Sequence, residues 1–446
     1  MATTTLTRPG IGRLRPPKPP ALLEAELPGG LRSVFVRHRA LPLVELRLTF
    51  PLAPAQIVKP AATNILCRSL FAGTEAHDRL ALAEAIESLG GNLDAHLNDD
   101  RLVVVGSVLS EHLPTFLGLL AEVLTTAVYP EGEVRADRDR AADEIVLALS
   151  QPEVVAQQAL RRRMFAGHPY ATPLPSPGSL KRVNAAELRA LHPALLYPAA
   201  AHLVLVGDLQ VPRALGAAED AFGGWLGQRG GQDSELAPAG APRPGPLELV
   251  ARPGSVQSNV RFGGQAASLA DPSWPAMSLA GSVLGGMFTS RVTANLRERN
   301  GYSYSPRSSV RHRRAGSSVV LAADVASAVT SATVIEILYE LGRLATTGIT
   351  DDELELARRH AVGRFSFETA TLPGLATTLA SLAANGVSLG YLSGYPKAVI
   401  STTKDQVNEA AGRYLSPRRL VTVIVGDPEA VGGPLSVIDE VVVRNT

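Results

Sequence analysis

The sequence predicts an α+β protein of two homologous domains, each a mostly antiparallel sheet covered by helices. Three observations lead there. A Gly/Pro-rich stretch from Gly227 to Pro246 (GQRGGQDSELAPAGAPRPGP), poor in large apolar residues, divides the 446 residues into nearly equal parts and reads as an exposed linker. Each part closes on an apolar strand running into Gly-Asp, His202-Leu-Val-Leu-Val-Gly-Asp208 and Leu420-Val-Thr-Val-Ile-Val-Gly-Asp427, and the two glycines lie 219 residues apart. Each part also holds a helix opened by an acidic cluster, Pro130-Glu-Gly-Glu-Val134 and Thr350-Asp-Asp-Glu-Leu354, whose matching glutamates lie 220 residues apart. Two unrelated landmarks with nearly one offset indicate a duplication.

The expected organisation is a leader at 1–21, a first domain at 22–226, the linker at 227–246 and a second domain at 247–446. The leader has no Asp or Glu and carries Arg8, Arg13 and Arg15, as an organelle presequence would. Its prolines would break the amphipathic helix that such a presequence uses, so the segment reads as disordered. Residues 32–50 hold two β-rich runs around Arg39-Ala-Leu-Pro42, a hairpin pattern. Leu82, Ile86 and Leu89 recur at helical spacing, and Gly90-Gly91 stops that helix. Leu102 to Val105 is a strand, and Val134, Ala141, Ile145 and Leu149 mark the buried face of a further helix. In the second half, Thr350 with Glu353 forms a capping box opening a helix through Leu354, Ala361 and Phe365.

Composition narrows the function. With 45% hydrophobic and 19% charged residues the chain is an ordinary globular protein. A formal net charge of +1 leaves no basic footprint for nucleic acid or an acidic membrane. Cys67 is the single cysteine, which excludes an internal disulfide. There is no secretory apolar region and no apolar run of membrane-spanning length, so a cytoplasmic location is expected. The nine histidines include no pair four residues apart.

The segment Ala61-Ala-Thr-Asn-Ile-Leu-Cys-Arg-Ser-Leu-Phe-Ala-Gly-Thr74, followed by Gly90-Gly-Asn-Leu-Asp94, resembles the N-terminal half of a pitrilysin-like (insulinase-type) metallopeptidase. In that family the helix carries His-x-x-Glu-His. Imidazoles at i and i+4 share one helical face and a zinc, and the Glu between them polarises the bound water. Here Asn64 and Arg68 fall at the two histidine positions and Cys67 at that of the base, while Glu144 matches the third ligand. An amide is a poor zinc ligand, a fixed cation repels the metal, and a thiol does not replace a carboxylate. The resemblance therefore implies that this chain binds no metal. Arg68 and Glu144 then either pair, a salt bridge replacing the metal, or stand as separate solvated helix residues.

The stretch Val283-Leu-Gly-Gly-Met-Phe-Thr-Ser-Arg-Val-Thr-Ala-Asn-Leu-Arg-Glu-Arg-Asn-Gly-Tyr-Ser-Tyr-Ser305 resembles the family's C-terminal signature. It matches at Gly285, Gly286, Ser290, Arg291, Leu296, Arg297, Glu298, Gly301, Tyr304 and Ser305. By that resemblance, Arg297 and Tyr304 are the pair that reaches across an enclosed chamber toward a zinc in the opposite half. The Tyr hydroxyl would donate to the oxyanion of peptide hydrolysis, and the Arg would orient a substrate carbonyl. Taken alone, Arg297 is equally a solvated helix residue and Tyr304 ordinary half-buried packing. Asn300-Gly301 reads as a helix stop.

The family contains heterodimers in which one chain supplies zinc and the other the Arg/Tyr pair. The resemblance, spanning roughly residues 22–430, implies that this chain is the second kind. It would form half of a clamshell chamber with a homologous subunit bearing the zinc motif, and act on peptides. The rival readings are a non-catalytic scaffold, like the core subunits of a respiratory complex, and a stand-alone peptide-binding module.

Overall fold

Alternating and continuous apolar runs become two six-stranded sheets in a computed structural model that describes residues 12, 14–228 and 235–445. The first sheet contains β1 (Leu22–Leu27), β2 (Leu31–Arg37), β3 (Leu43–Pro51), β4 (Asn92–Leu97), β5 (Arg101–Leu109) and β6 (His202–Gly207), in the order β1-β2-β6-β3-β5-β4. The second contains β7 (Leu247–Ala251), β8 (Gln257–Ala266), β9 (Arg307–Arg313), β10 (Gly316–Ala326), β11 (Val421–Gly426) and β12 (Val441–Arg444), in the order β12-β7-β11-β8-β10-β9. From β2 and β7 onward the two orders are identical. In each, one parallel contact, β2 with β6 and β7 with β11, precedes a run of antiparallel ones. Only the outer edge departs: β1 pairs antiparallel to β2, whereas β12 pairs parallel to β7. The duplication inferred from two sequence landmarks is thus a duplication of topology, and each domain is the mostly antiparallel sheet with helices that was expected.

The predicted hairpin around Arg39-Ala-Leu-Pro42 does not form. β2 and β3 exist, but β6 lies between them, parallel to β2 and antiparallel to β3. A strand arriving from about 165 residues away takes the place because its residues are apolar on both faces. A local reading cannot see that competitor. The hairpin in this region joins β1 to β2 across Pro28-Gly29-Gly30, where both glycines have positive φ.

Helical caps follow the sequence closely. Asp78 accepts from the Ala81 N–H at 2.9 Å and opens the helix Arg79–Ser88, and Gly90 at φ 63° closes it. Thr350 and Glu353 form the capping box of the helix Asp351–Ala370, with Leu354, Ala361 and Phe365 buried. On the helix Glu131–Ser150, Val134, Ala141 and Ile145 are buried as expected. Leu149 instead turns outward, 40% exposed, because the helix outruns the core beneath it.

The halves are interlocked by a reciprocal exchange. Helices Glu131–Ser150 and Pro152–Met164 of the first half recur as Asp351–Ala370 and Leu372–Ala384 in the second. In each pair the second helix crosses over: Pro152–Met164 packs on β8 and β11, and Leu372–Ala384 on β3 and β6. Accordingly Val34, Val36, Val204 and Val206 belong to the second core, while Val421, Val423 and Val425 belong to the first. Strands buried on both faces need apolar residues at successive positions, which explains the unbroken runs at β6 and β11. Gly263 on β8 makes room for the crossing helix: a Cβ there would overlap the Met164 sulfur and come within 3.0 Å of Leu160.

Two segments outside regular structure are tied down. In the linker, Ala239 is buried and its N–H donates to the Ala315 carbonyl at 2.6 Å. Residues 229–234 lie outside the described part. In the leader, Gly12 accepts from Arg359 at 3.1 Å and Leu14 packs against the second core. Arg8 and Arg13 lie outside the described residues. Among the described residues no helix is long and apolar enough to cross a membrane.

Candidate functional site

The helix Pro60–Arg68 starts at a proline suited to a first turn and buries Thr63, Ile65, Leu66 and Cys67 against the first core. Asn64 and Arg68, one turn apart, remain on its outer side. The Arg68 guanidinium donates through Nε to Asn64 Oδ1 at 3.0 Å and through Nη2 to Glu144 Oε2 at 2.6 Å. Of the two open possibilities for Arg68 and Glu144, the paired one is found. The hydrogen bond from Arg68 holds the Glu144 carboxyl below its ordinary value. The side chains are 34% and 58% exposed, so this pair contributes little to stability, about 0–1 kcal/mol.

These residues do not fit a zinc ion. Three side chains at the ligand positions already satisfy one another, and the central one is a permanent cation. Cys67 does not stand in for the base either. It is 6% exposed, and burial, reinforced by Asp94, pushes its thiol up to about 12, with Arg68 opposing weakly. It is therefore a neutral, inward-facing thiol throughout the physiological range. Among the described residues no group of three or more His, Cys, Asp or Glu side chains could hold a metal.

The second constellation is built on two wide helical turns. The helix Trp274–Gly281 runs into a π-helical turn, Ser282–Gly286, and a second such turn, Ala294–Arg299, carries Arg297. In the latter the Asn300 N–H reaches back five residues to the Asn295 carbonyl at 3.1 Å, and Gly301 at φ 66° ends the segment. Such turns are concentrated at functional sites. Gly285 is required by close approach, since a Cβ there would lie 2.8 Å from the Ser308 backbone nitrogen on β9.

Buried polar contacts fix this segment from below. Arg291 is 8% exposed and makes a two-pronged pair with Glu353, Nε to Oε1 and Nη2 to Oε2 both at 2.7 Å, plus a 2.7 Å bond to the Gly348 carbonyl. Partial burial opposes ionisation of Glu353, but its bonds from Arg291 and Thr350 outweigh that and hold it below the ordinary value. The same glutamate caps its helix, so the signature segment and the capping box share one carboxylate. Asn295, 1% exposed, donates to Glu340 at 2.9 Å and Glu336 at 2.8 Å and accepts from Asn300 at 2.7 Å.

On this base Arg297 and Tyr304 come together. The Arg297 guanidinium lies 4.9 Å from the Tyr304 ring centroid and 4.7 Å from that of Phe288. Among the described residues its only carboxylate contact is Glu298, at 3.3 Å. The expectation that Tyr304 is half-buried packing does not hold: it sits in a loop before β9, 81% exposed, and its hydroxyl bonds no described residue. Phe288, 70% exposed, is a third member of the group that sequence reasoning missed. The available signal was a large aromatic between Gly-Gly-Met and Thr-Ser, where nothing local gives it a core to enter. A guanidinium held against two rings by cation–π contact is steadied by them and keeps N–H groups free to meet a ligand.

Comparison with known proteins agrees with the geometry. Residues 60–178 match the family described as insulinase (peptidase family M16), and residues 182–360 the one described as peptidase M16 inactive domain. An uncharacterized zinc protease of Mycobacterium leprae is 24% identical over 340 residues, covering 74% of this chain and 75% of that protein. The crystal structure of a peptidase M16 inactive domain from Pseudomonas fluorescens is similar at a TM-score of 0.85, with 22% identity, over 91% of this chain and 98% of that one. A protease from Helicobacter pylori gives a TM-score of 0.81 at 16% identity, over 91% and 99%. The two family matches run almost without a break from residue 60 to residue 360, the second beginning near the end of the first half and reaching into the helix Asp351–Ala370 of the second. The chain belongs to the insulinase, or M16, peptidase family.

Proposed function

We propose that this chain is the substrate-binding, oxyanion-stabilising subunit of a two-chain peptidase. Its partner would be a homologous subunit that carries His-x-x-Glu-His and the zinc. The two would close as a clamshell around peptides, with residues 22–226 and 247–446 as the paired domains of this half. The observation that carries the reading is a contrast. The ligand positions of the first half are closed by Asn64, Arg68 and Glu144. In the second half Arg297 is in cation–π contact with two rings, and Tyr304 is exposed, its hydroxyl with no bond to a described residue.

The partner's metal would supply the activated water. On this side, the Tyr304 hydroxyl donates to the oxygen that becomes negative as the carbonyl carbon is attacked. The N–H edge of Arg297 holds a neighbouring backbone carbonyl and so places the scissile bond. Tyr304 acts on the charge of the transition state, so its loss lowers turnover. Arg297 contributes to binding and orientation together.

The test uses this chain, the partner and their mixture. This chain alone is expected to contain no stoichiometric zinc and to leave peptides intact, while the mixture hydrolyses them. In the mixture Tyr304→Phe lowers kcat by about 10²–10³ with little change in KM. Equimolar zinc in this chain, or full hydrolysis by it alone, would overturn the assignment.

A further inference from the structure

A cavity of about 850 Å³ opens where the two halves meet. Its size falls within the roughly 300–1,000 Å³ of ligand-binding pockets. The inner face of the first sheet contributes Thr49 of β3 with Val103 and Val105 of β5. The helix Pro60–Arg68 contributes Thr63 and Asn64, and the second half contributes Arg311, His312 and Arg313 of β9.

The charges of this cavity do not balance. Arg47 is matched by Glu45 at 2.8 Å. Among the described residues, the other four guanidiniums, Arg101, Arg161, Arg311 and Arg313, share two carboxylates, Asp99 and Asp100. Asp99 alone serves Arg161 at 2.9 Å, Arg313, and Arg311 at 3.7 Å. Asp100 already accepts from Arg101 at 2.9 Å, the Tyr170 hydroxyl at 2.6 Å and the Arg314 N–H at 2.7 Å. Burial foremost lowers the pKa of Arg161; Asp99 raises it, and Arg313 and Arg311 work against Asp99. The whole chain carries a net charge of only +1, so the excess is local. Arg311 is the least committed of the four, with a side chain 57% exposed and its carboxylate contact beyond hydrogen-bonding length.

A peptide suits the place better than a free ion. β4 ends its sheet, so among the described residues one backbone edge has no strand beside it, and its last residues, His96 and Leu97, line the cavity. An extended chain can pair with such an edge. Apolar side chains, among them Leu52, Ile57, Leu97 and Leu174, make up much of the remaining wall.

We infer that this cavity binds a carboxylate carried on an extended peptide, and that Arg311 is the group that reads it. The inference rests on the proposed peptide-binding role and names its substrate class: peptides with an acidic side chain or a free C-terminal carboxylate. Arg161 and Arg313 stay engaged with Asp99 and shape the wall, while Arg311 swings to the incoming charge.

The experiment measures binding of three rhodamine-labelled decapeptides to the full chain by fluorescence anisotropy, at about 0.1 M salt so that surface charges are screened. One is neutral and amidated, one neutral with a free C-terminus, and one amidated with internal glutamates. At least one anionic peptide is expected to bind about fivefold more tightly than the neutral one, as for a half-exposed charge pair. That advantage disappears in Arg311→Gln and survives in Arg311→Lys. Preference for the free end assigns the carboxylate to the terminus, and preference for the glutamate peptide assigns it to side chains. Equal affinity for all three, no binding of any, or a preference unchanged in Arg311→Gln overturns the inference. Charge-blind binding alongside Tyr304-dependent hydrolysis would remove this inference and leave the proposed function. Charge-selective binding by a chain that adds nothing to a zinc-bearing partner would do the reverse.

Discussion

The guanidinium of Arg68 donates to the carboxylate of Glu144 at 2.6 Å, joining two helices through residues 76 positions apart. This contact brings the side chains of positions 68 and 144 together on neighbouring helices. We infer that the first half keeps the frame of a metal site without the atoms that would use it.

That frame is testable. Asn64→His with Arg68→His, leaving Glu144 in place, sets two imidazoles one helical turn apart beside a carboxylate. The double variant is expected to bind zinc at one equivalent by metal analysis, three protein ligands being enough for an open site. It gains no hydrolysis, because Cys67 is a buried thiol that cannot serve as base. The same variant with Glu144→Gln should lose most of the affinity. Failure of the double variant to hold zinc would mean that the two helices have drifted from metal-binding geometry.

Cys67 gives a pH-dependent stability. Its folded-state value, about 12, exceeds the ordinary thiol value of 9.0, so the protonated thiol is favoured by folding. The contribution is complete below pH 9 and is lost as pH rises from about 9 toward 12, by about 1.4 kcal/mol per unit in that window. Urea denaturation at pH 8 and pH 10 is expected to show a stability drop in the native chain that exceeds the drop in Cys67→Ala by about that amount. Equal drops in both would place the loss elsewhere.

Phe288 is the second ring in cation–π contact with Arg297, its centroid 4.7 Å from the guanidinium. Phe288→Ala removes one ring from an exposed cation, worth about 0.5–1 kcal/mol. In the reconstituted pair it is expected to raise KM about two- to fivefold and to leave kcat nearly unchanged, the opposite of Tyr304→Phe. With Phe288 at 70% exposure, the melting temperature should stay within about 1 °C. A loss confined to kcat would show that Phe288 acts on the reacting atoms instead.

Arg291 is the anchor beneath the signature segment. Arg291→Met breaks a buried two-pronged pair and strips Glu353 of its main partner, for an expected cost of about 3–5 kcal/mol in denaturant unfolding. Adding Glu353→Gln should recover part of that cost, since the stranded charge is then removed. If the double variant is as unstable as the single, the penalty comes from lost packing.

The sequence by itself determined what is local or repeated. The shared offset of two landmarks revealed the duplication, and Asp78, Gly90 and the Thr350/Glu353 box marked helix ends, because a cap acts within one turn of its own residue. The absence of histidines at 64 and 68 was likewise plain, because ligand chemistry belongs to the residue type. Tertiary structure alone decided what depends on distant partners. It set β6 between β2 and β3, sent Pro152–Met164 and Leu372–Ala384 across to opposite sheets, and chose pairing over separation for Arg68 and Glu144. It also turned Phe288 outward against Arg297. Each of these is a competition among long-range contacts of similar local appeal, and the winner is fixed only when the whole chain has found its cores.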